Sequence, residues 1–152
     1  MKWVHFPSAI TILTLSASAM FAGMSAPCLA ASNFAVVERA ASDAVTDTGA
    51  TGDSAGDILT FANDVYDEAN TAKVGDDNGW CIRTVVGKAW ECIATFTLAD
   101  GQITGEGPFY DTKDSVWAVT GGTGKYASAT GEMMLHARND KGTEYDFKFS
   151  LK

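Results

Sequence analysis

The chain has 152 residues, carries 19 acidic against 11 basic side chains and has a formal net charge of −8. That surplus argues against nucleic acid or an anionic membrane as a partner, because both attract basic faces. With three cysteines, two histidines and no C-x-x-C, the sequence lacks the ligand spacing of a zinc site, so no metal is expected.

Residues 1–30 read as a secretory leader. Lys2 supplies a positive start, residues 9–22 are apolar and uncharged, and Cys28-Leu29-Ala30 puts small residues at the −3 and −1 positions of a cut before Ala31. The apolar run is too short for a membrane span. A lipoprotein cut before Cys28 is the alternative, and Ser25 and Pro27 fit it poorly. A secreted or periplasmic protein is therefore expected, with residues 31–152 as one domain. Loss of Lys2 takes the formal charge to −9.

Residues 33–39 form the first strand-like run. The stretch 40–56, rich in Ala, Asp, Thr and Gly and without apolar periodicity, reads as a long loop. Further runs follow at 57–64, 79–85, 89–98, 102–109, 115–120, 129–138 and 144–151, separated by Gly, Asp and Asn. The last is the clearest, since Tyr145, Phe147, Phe149 and Leu151 alternate with Asp146, Lys148 and Ser150. No segment carries a sustained helical stripe. Some eight strands in so short a domain predict an all-β fold, a closed eight-stranded antiparallel β-barrel with a central cavity. A two-sheet sandwich is the alternative.

Three local patterns invite functional readings that their details do not support. Asp76-Asp77-Asn78-Gly79 looks like a piece of a calcium loop, but Val74 stands where the first ligand belongs and no glutamate closes it, so it reads as a turn with solvated charges. The glycine-rich stretch 118–131 suggests a phosphate loop, yet Val119 and Tyr126 break the pattern. Its glycines fit a tight connection between strands better. His136 is the one histidine outside the leader, and no G-x-S-x-G surrounds a serine, which argues against a Ser-His-Asp hydrolase.

If Val86 and Gly87 form a two-residue hairpin loop, Cys81 falls opposite Cys92, close enough for a disulfide in an exported protein. Two small buried thiols are the alternative. With Cys81 inward, alternation also turns inward Arg83 and, across the hairpin, Trp90, Cys92 and Phe96, while Leu59, Phe61 and Asn63 share one face of the preceding strand. Such a lining, with Glu38, Asn63 and Arg83 as polar points, suits an elongated, mostly apolar molecule, unless the aromatics simply fill the barrel. Arg83 is the expected partner for a carboxylate or phenolate on that ligand.

The residues of 56–66, Gly-Asp-Ile-Leu-Thr-Phe-Ala-Asn-Asp-Val-Tyr, then Val74-Gly75, Gly79-Trp80-Cys81, Gly101-Gln102-Ile103, Gly105-Glu106-Gly107 and residues 118–124 together resemble the allene oxide cyclases. The Val-Gly and Gly-Gly-Thr-Gly-Lys-Tyr elements resemble the dirigent proteins equally. The resemblance spans residues 57–151 and implies a ligand-holding barrel, a homotrimer, and neither metal nor organic cofactor. It also implies an isomerase that closes a ring in a fatty-acid epoxide or, as the alternative, a protein without chemistry of its own that binds a small hydrophobic or phenolic ligand, either dirigent-like, orienting phenoxy radicals made by a separate oxidase, or as a carrier.

Carried over residue by residue, Asn63 matches an asparagine that helps hold a polarising water. Cys81, Leu59 and Phe61 match pocket positions, and Trp90 falls near an aromatic wall position. Glu38 is the candidate for a first-strand carboxylate that stabilises developing positive charge; pairing with Arg39 at the surface is its alternative. Phe96 and Phe109 complete the candidate substrate-binding set. Ala40 stands where a second asparagine is expected, the Ser-Pro pair that follows is absent, and Phe109 replaces a pocket tyrosine. These departures bear on the reaction more than on the fold.

Overall fold

The computed structural model describes residues 32–152. The leader expected at residues 1–30 lies outside the described residues. The strands are β1 (Ser32–Arg39), β2 (Ala44–Thr46), β3 (Ile58–Asp67), β4 (Lys73–Val85), β5 (Ala89–Leu98), β6 (Gly101–Tyr110), β7 (Ser115–Gly122), β8 (Gly131–Ala137) and β9 (Glu144–Leu151). From β3 to β9 each strand pairs antiparallel with the next, β9 pairs with β1, and β1 pairs with β3. The sheet therefore closes into an eight-stranded barrel, with β2 as one additional strand. Closure leaves the long strands without free edges.

Two segments differ from the sequence reading. Residues 40–56 are not one loop, because β2 pairs with β3 and continues the line of β1. Arg39 faces Asp64 and Ala44 faces Thr60, so the run from 39 to 44 holds one residue more than the run opposite. Such a surplus residue makes a bulge. Nor is Asp76-Asp77-Asn78 a turn: it lies within β4, with Asp77 opposite Asn63 on one side and Phe96 on the other. Pairing on both flanks overrides the poor strand propensity of Asp and Asn, and alternation leaves Asp76 and Asn78 in water while Asp77 is buried.

Cys81 faces Cys92 as expected, although the turn is not the one assumed. Val85 pairs with Ala89, and an irregularity between Arg83 and Val85 restores the register. The two cysteines are joined by a disulfide across Cα atoms 4.0 Å apart.

One half of the barrel is packed solid. Phe96 meets Phe147 and Phe149 edge to face, at 4.8 and 5.2 Å between centroids, and Phe34 stacks on Phe149 at 4.7 Å. Val65, Ile103 and Met133 are fully buried around them. A single 3-10 turn, Gly124–Tyr126, covers this end with the buried Tyr126. Gly124 adopts φ +58° there, so the glycine-rich stretch is a strand connection, as its sequence suggests.

In the other half, small inward residues give large ones room. Gly79 lies so close to the Phe61 ring and the Ile93 carbonyl oxygen that an added methyl would collide with both. Replacing Gly79 with Ala should cost about 1–3 kcal/mol, as overpacking does in a tight interior. Urea unfolding of the variant reads this directly, and an unchanged midpoint would show that the approach is not tight.

Candidate functional site

Beyond the aromatic plug the barrel holds a small cavity of about 40 Å³. That is well below the ~300–1,000 Å³ of small-molecule pockets, so a ligand of several heavy atoms needs half-buried wall side chains such as Phe61 and Phe109 to move aside. Leu59, Phe61, Phe109, Trp117, Leu135 and Phe147 form its apolar wall, the Cys81–Cys92 disulfide lies in that wall, and Glu38, Asp43 and Tyr145 are its polar groups. Trp117 is held in place by its indole N–H, which donates to the Pro108 carbonyl oxygen at 2.8 Å. Phe109, Leu135 and Tyr145 also border an outer cleft formed by residues 110–114 and 136–142.

Of the residues proposed from sequence, Glu38, Leu59, Phe61, Cys81 and Phe109 line this cavity, and Asn63 lies directly behind Glu38. Three others are placed elsewhere. Phe96 is part of the plug. Trp90 is buried beneath the guanidinium of Arg83, whose carbon lies 4.0 Å from the ring centroid. Arg83, expected to anchor a ligand anion, does not line the cavity and lies against protein carboxylates. One of its terminal nitrogens donates to both oxygens of Asp111, at 2.8 and 2.9 Å, and its Nε lies 2.6 Å from Asp53 Oδ1 with the N–H turned off that line. The reason is position: Arg83 sits at the hairpin end of β4, where the chain around Asp57 folds back on its backbone, Arg83 N–H donating to Asp57 O at 2.9 Å.

Asp43, Asp77, Trp117, Leu135, Tyr145 and Phe147 were not among the candidates. Strand alternation from Phe149 points to Tyr145 and Phe147, and alternation from Cys81 points to Asp77. Asp43 lies in a polar stretch with no periodic signal. His136 lies in the outer cleft, with Nδ1 2.7 Å from Asp114 Oδ1.

The polar side of the cavity is organised by Asn63. Its Oδ1 accepts the backbone N–H groups of Ala41 and Ser42, both at 2.9 Å, in the bulge between β1 and β2. Its Nδ2 donates to Glu38 Oε1 at 2.5 Å and to Asp43 Oδ1 at 2.9 Å. Asn63 thus has protein partners at both ends of its carboxamide, and one of the amide hydrogens ties it to Glu38. Its own backbone N–H donates to Asp77 Oδ1 at 3.3 Å, and Asp77 Oδ2 has no hydrogen-bond partner although the residue is 2% exposed.

Three carboxyls in so small a space cannot all ionise. Burial, then the charge of Asp77, pushes the Glu38 carboxyl up to about 8, against the lowering effect of the Asn63 hydrogen bond. Burial also pushes Asp77 up to about 7, opposed by the Asn63 N–H and reinforced by Asp43. Tyr145 is raised by burial and by the charges of Glu38 and Asp43. Burial and the neighbouring acids thus favour the carboxylic-acid form of Glu38 over the carboxylate at neutral pH.

These shifts make stability depend on pH with a definite sign. Below the ordinary carboxyl values of 4.5 and 3.8 both folded and unfolded chains hold the protons. Between there and about 7–8 only the folded chain does, so stability falls as pH rises. The melting temperature should be higher at pH 5 than at pH 8.5 by more than roughly 4 °C, the change that ~1 kcal/mol produces in a domain of this size. Replacing Glu38 with Gln should flatten that slope; equal melting temperatures at both pH values would exclude the shared burial of protons.

Residues 33–139 match the family model for allene oxide cyclase. Among solved structures, the chain is similar to a pyocyanin demethylase, with 26% identity, 80% of this chain and 100% of that chain covered, and a TM-score of 0.69. It is also similar to AbnU, an exo-specific intermolecular Diels-Alderase, with 15% identity over 80% of this chain and 98% of that chain, at a TM-score of 0.64. The pterocarpan synthase dirigent protein GePTS1 shares 10% identity over 80% of this chain and 83% of that one, at a TM-score of 0.65. The last two likenesses concern the fold alone. With the family match spanning most of the sequence and the closed barrel around its cavity, the chain belongs to the allene oxide cyclase family.

Proposed function

We propose that this barrel is an isomerase or cyclase that encloses a compact, mostly apolar molecule and transfers a proton between Glu38 and a polar atom of that molecule while a ring closes or rearranges. The observation that carries this reading is Glu38 itself, 5% exposed on an aromatic wall and raised to about 8. A carboxylic acid kept protonated near neutral pH by an apolar site is a suitable general acid, since it still holds its proton when the substrate arrives. In the step envisaged, the Glu38 O–H bond breaks and an O–H or N–H bond forms on the ligand; the proton returns to Glu38 as product forms. A binder without chemistry would not need an acid in this position, which favours the enzyme over the dirigent-like reading.

The likeness to pyocyanin demethylase, which extends over the whole of that protein, favours a second reading, demethylation of a ligand held in the same cavity. The test is a substrate panel containing an unsaturated fatty-acid epoxide, conjugated dienes and pyocyanin, with products followed by mass spectrometry. Turnover should fall as pH rises through about 8, where Glu38 loses its proton. Glu38→Gln should cost on the order of a hundredfold or more in rate with little change in ligand affinity. Unaltered turnover in that variant would remove Glu38 from the chemistry.

Export and assembly as a homotrimer belong to the same proposal. On the outer face of β4, Trp80 and Ile82 are 47% and 37% exposed, an apolar pair available to a neighbouring subunit. Light scattering of residues 31–152 should give the mass of three chains, and a monomer mass across micromolar concentrations would refute the trimer.

A further inference from the structure

Among the described residues the cavity wall contains acidic and aromatic side chains but no basic one. Arg83 is held outside by Asp53 and Asp111. The outer cleft carries Lys113 and Arg138 together with Asp111, Asp114 and Asp140, and Arg138 Nε lies 3.5 Å from Asp146 Oδ1. Glu38 and Asp43 both stand on the cavity wall, tied together by the Asn63 amide. Asp77 lies behind them on the inward face of β4, the face that also carries Cys81, and its buried Oδ2 is unpartnered. A buried carboxyl oxygen without a donor is an unmet demand for a proton or a positive charge. The three acids do not converge as a metal site. Much of the remaining wall is Phe61, Phe109, Trp117, Tyr145 and Phe147, whose ring faces attract cations.

We propose that the molecule bound in this cavity is a compact aromatic carrying a positive charge, either permanent, as on an N-alkylated ring nitrogen, or gained by accepting the Glu38 proton, as on a basic ring nitrogen. The inference rests on the reading of the cavity as a ligand site made above. A carboxylate ligand would meet like charge here with no cation to receive it, so the fatty-acid class suggested by resemblance is disfavoured. A fixed cation does what the stored protons do in the empty barrel, and its arrival should send protons to solvent. The titratable groups on the cavity wall are Glu38 from β1, Asp43 from the connection to β2 and Tyr145 from β9; Asp77 from β4 lies behind them, and β3 contributes the neutral Asn63. Burial favours the protonated form of Glu38 at neutral pH and leaves Asp77 about half protonated, so affinity for a fixed cation should rise between pH 6 and pH 8.5, and affinity for a neutral molecule of the same shape should not.

Three bicyclic probes of similar shape separate the possibilities: N-methylquinolinium, 1-methylnaphthalene and 1-naphthoate. Titration calorimetry and quenching of Trp117 fluorescence should show the cation binding at least tenfold more tightly than the neutral probe at pH 8, with naphthoate weakest. Calorimetry of the cation at pH 7 in buffers of different ionisation enthalpy should reveal proton release. Glu38→Gln and Asp43→Asn should each reduce the cation's advantage severalfold. The second change is at the exposed mouth, which keeps the test available if the first variant does not fold. If 1-methylnaphthalene or 1-naphthoate binds as tightly as the cation, the charge preference is wrong and the cavity stands as a ligand site. If none of the three binds at millimolar concentration, the ligand-site reading falls with it.

Discussion

The side-chain amide of Asn63 is the constraint on which the functional half of this barrel depends. A bulge between β1 and β2 withdraws the N–H groups of Ala41 and Ser42 from the strand ladder, and Asn63 Oδ1 accepts both. That fixes which end of the amide faces the break, so the two-hydrogen end must face Glu38 and Asp43. An asparagine is the economical solution, because one planar group satisfies backbone donors on one side and acids on the other. Neither a leucine, which would leave these groups unpaired, nor an aspartate, which would add a fourth negative charge, could take its place.

The interior of an eight-stranded barrel has room for side chains or one small ligand, and here the two solutions occupy different ends. Towards the 3-10 turn, Phe34, Phe96, Phe147 and Phe149 interlock and leave no space. Towards the other end, glycine at 79 and 105 and alanine at 94 contribute little volume, so Phe61 and Trp117 can lie across them. The aromatic residues read from sequence divide between the two ends: Phe96 fills the core, while Phe61 and Phe109 border the cavity. The disulfide ties β4 to β5 within the wall of the hollow half, where a stiff cross-strand link keeps an unfilled space from being closed by its neighbours.

The cluster of acids works against folding at neutral pH, since burial of Glu38 and Asp77 favours protons that the unfolded chain has already lost. A site that sacrifices stability in this way is characteristic of function rather than of packing. A wall of hydrophobic residues of the same size would carry no such penalty. It would also lack any group able to exchange a proton with a bound molecule.

Sequence alone determined the strand periodicity, the face shared by Leu59, Phe61 and Asn63, the facing of Cys81 and Cys92, and the resemblance that named the barrel and Glu38. These follow from local rules: side chains alternate along a strand, and a hairpin fixes which residues oppose each other. The turn read at Asp76-Asp77-Asn78 and the unbroken loop read at 40–56 failed because a strand there is made by partners far away in the chain, and propensity does not see partners. The same limit explains Arg83, which alternation turned inward correctly but whose charge is taken up by Asp53 and Asp111 from two other segments. Asp43 reached the cavity only through the bulge and the amide of Asn63. Which acids meet, and therefore which of them keep their protons, was decided by tertiary structure, because a carboxyl's charge depends on burial and on neighbours that no linear spacing records.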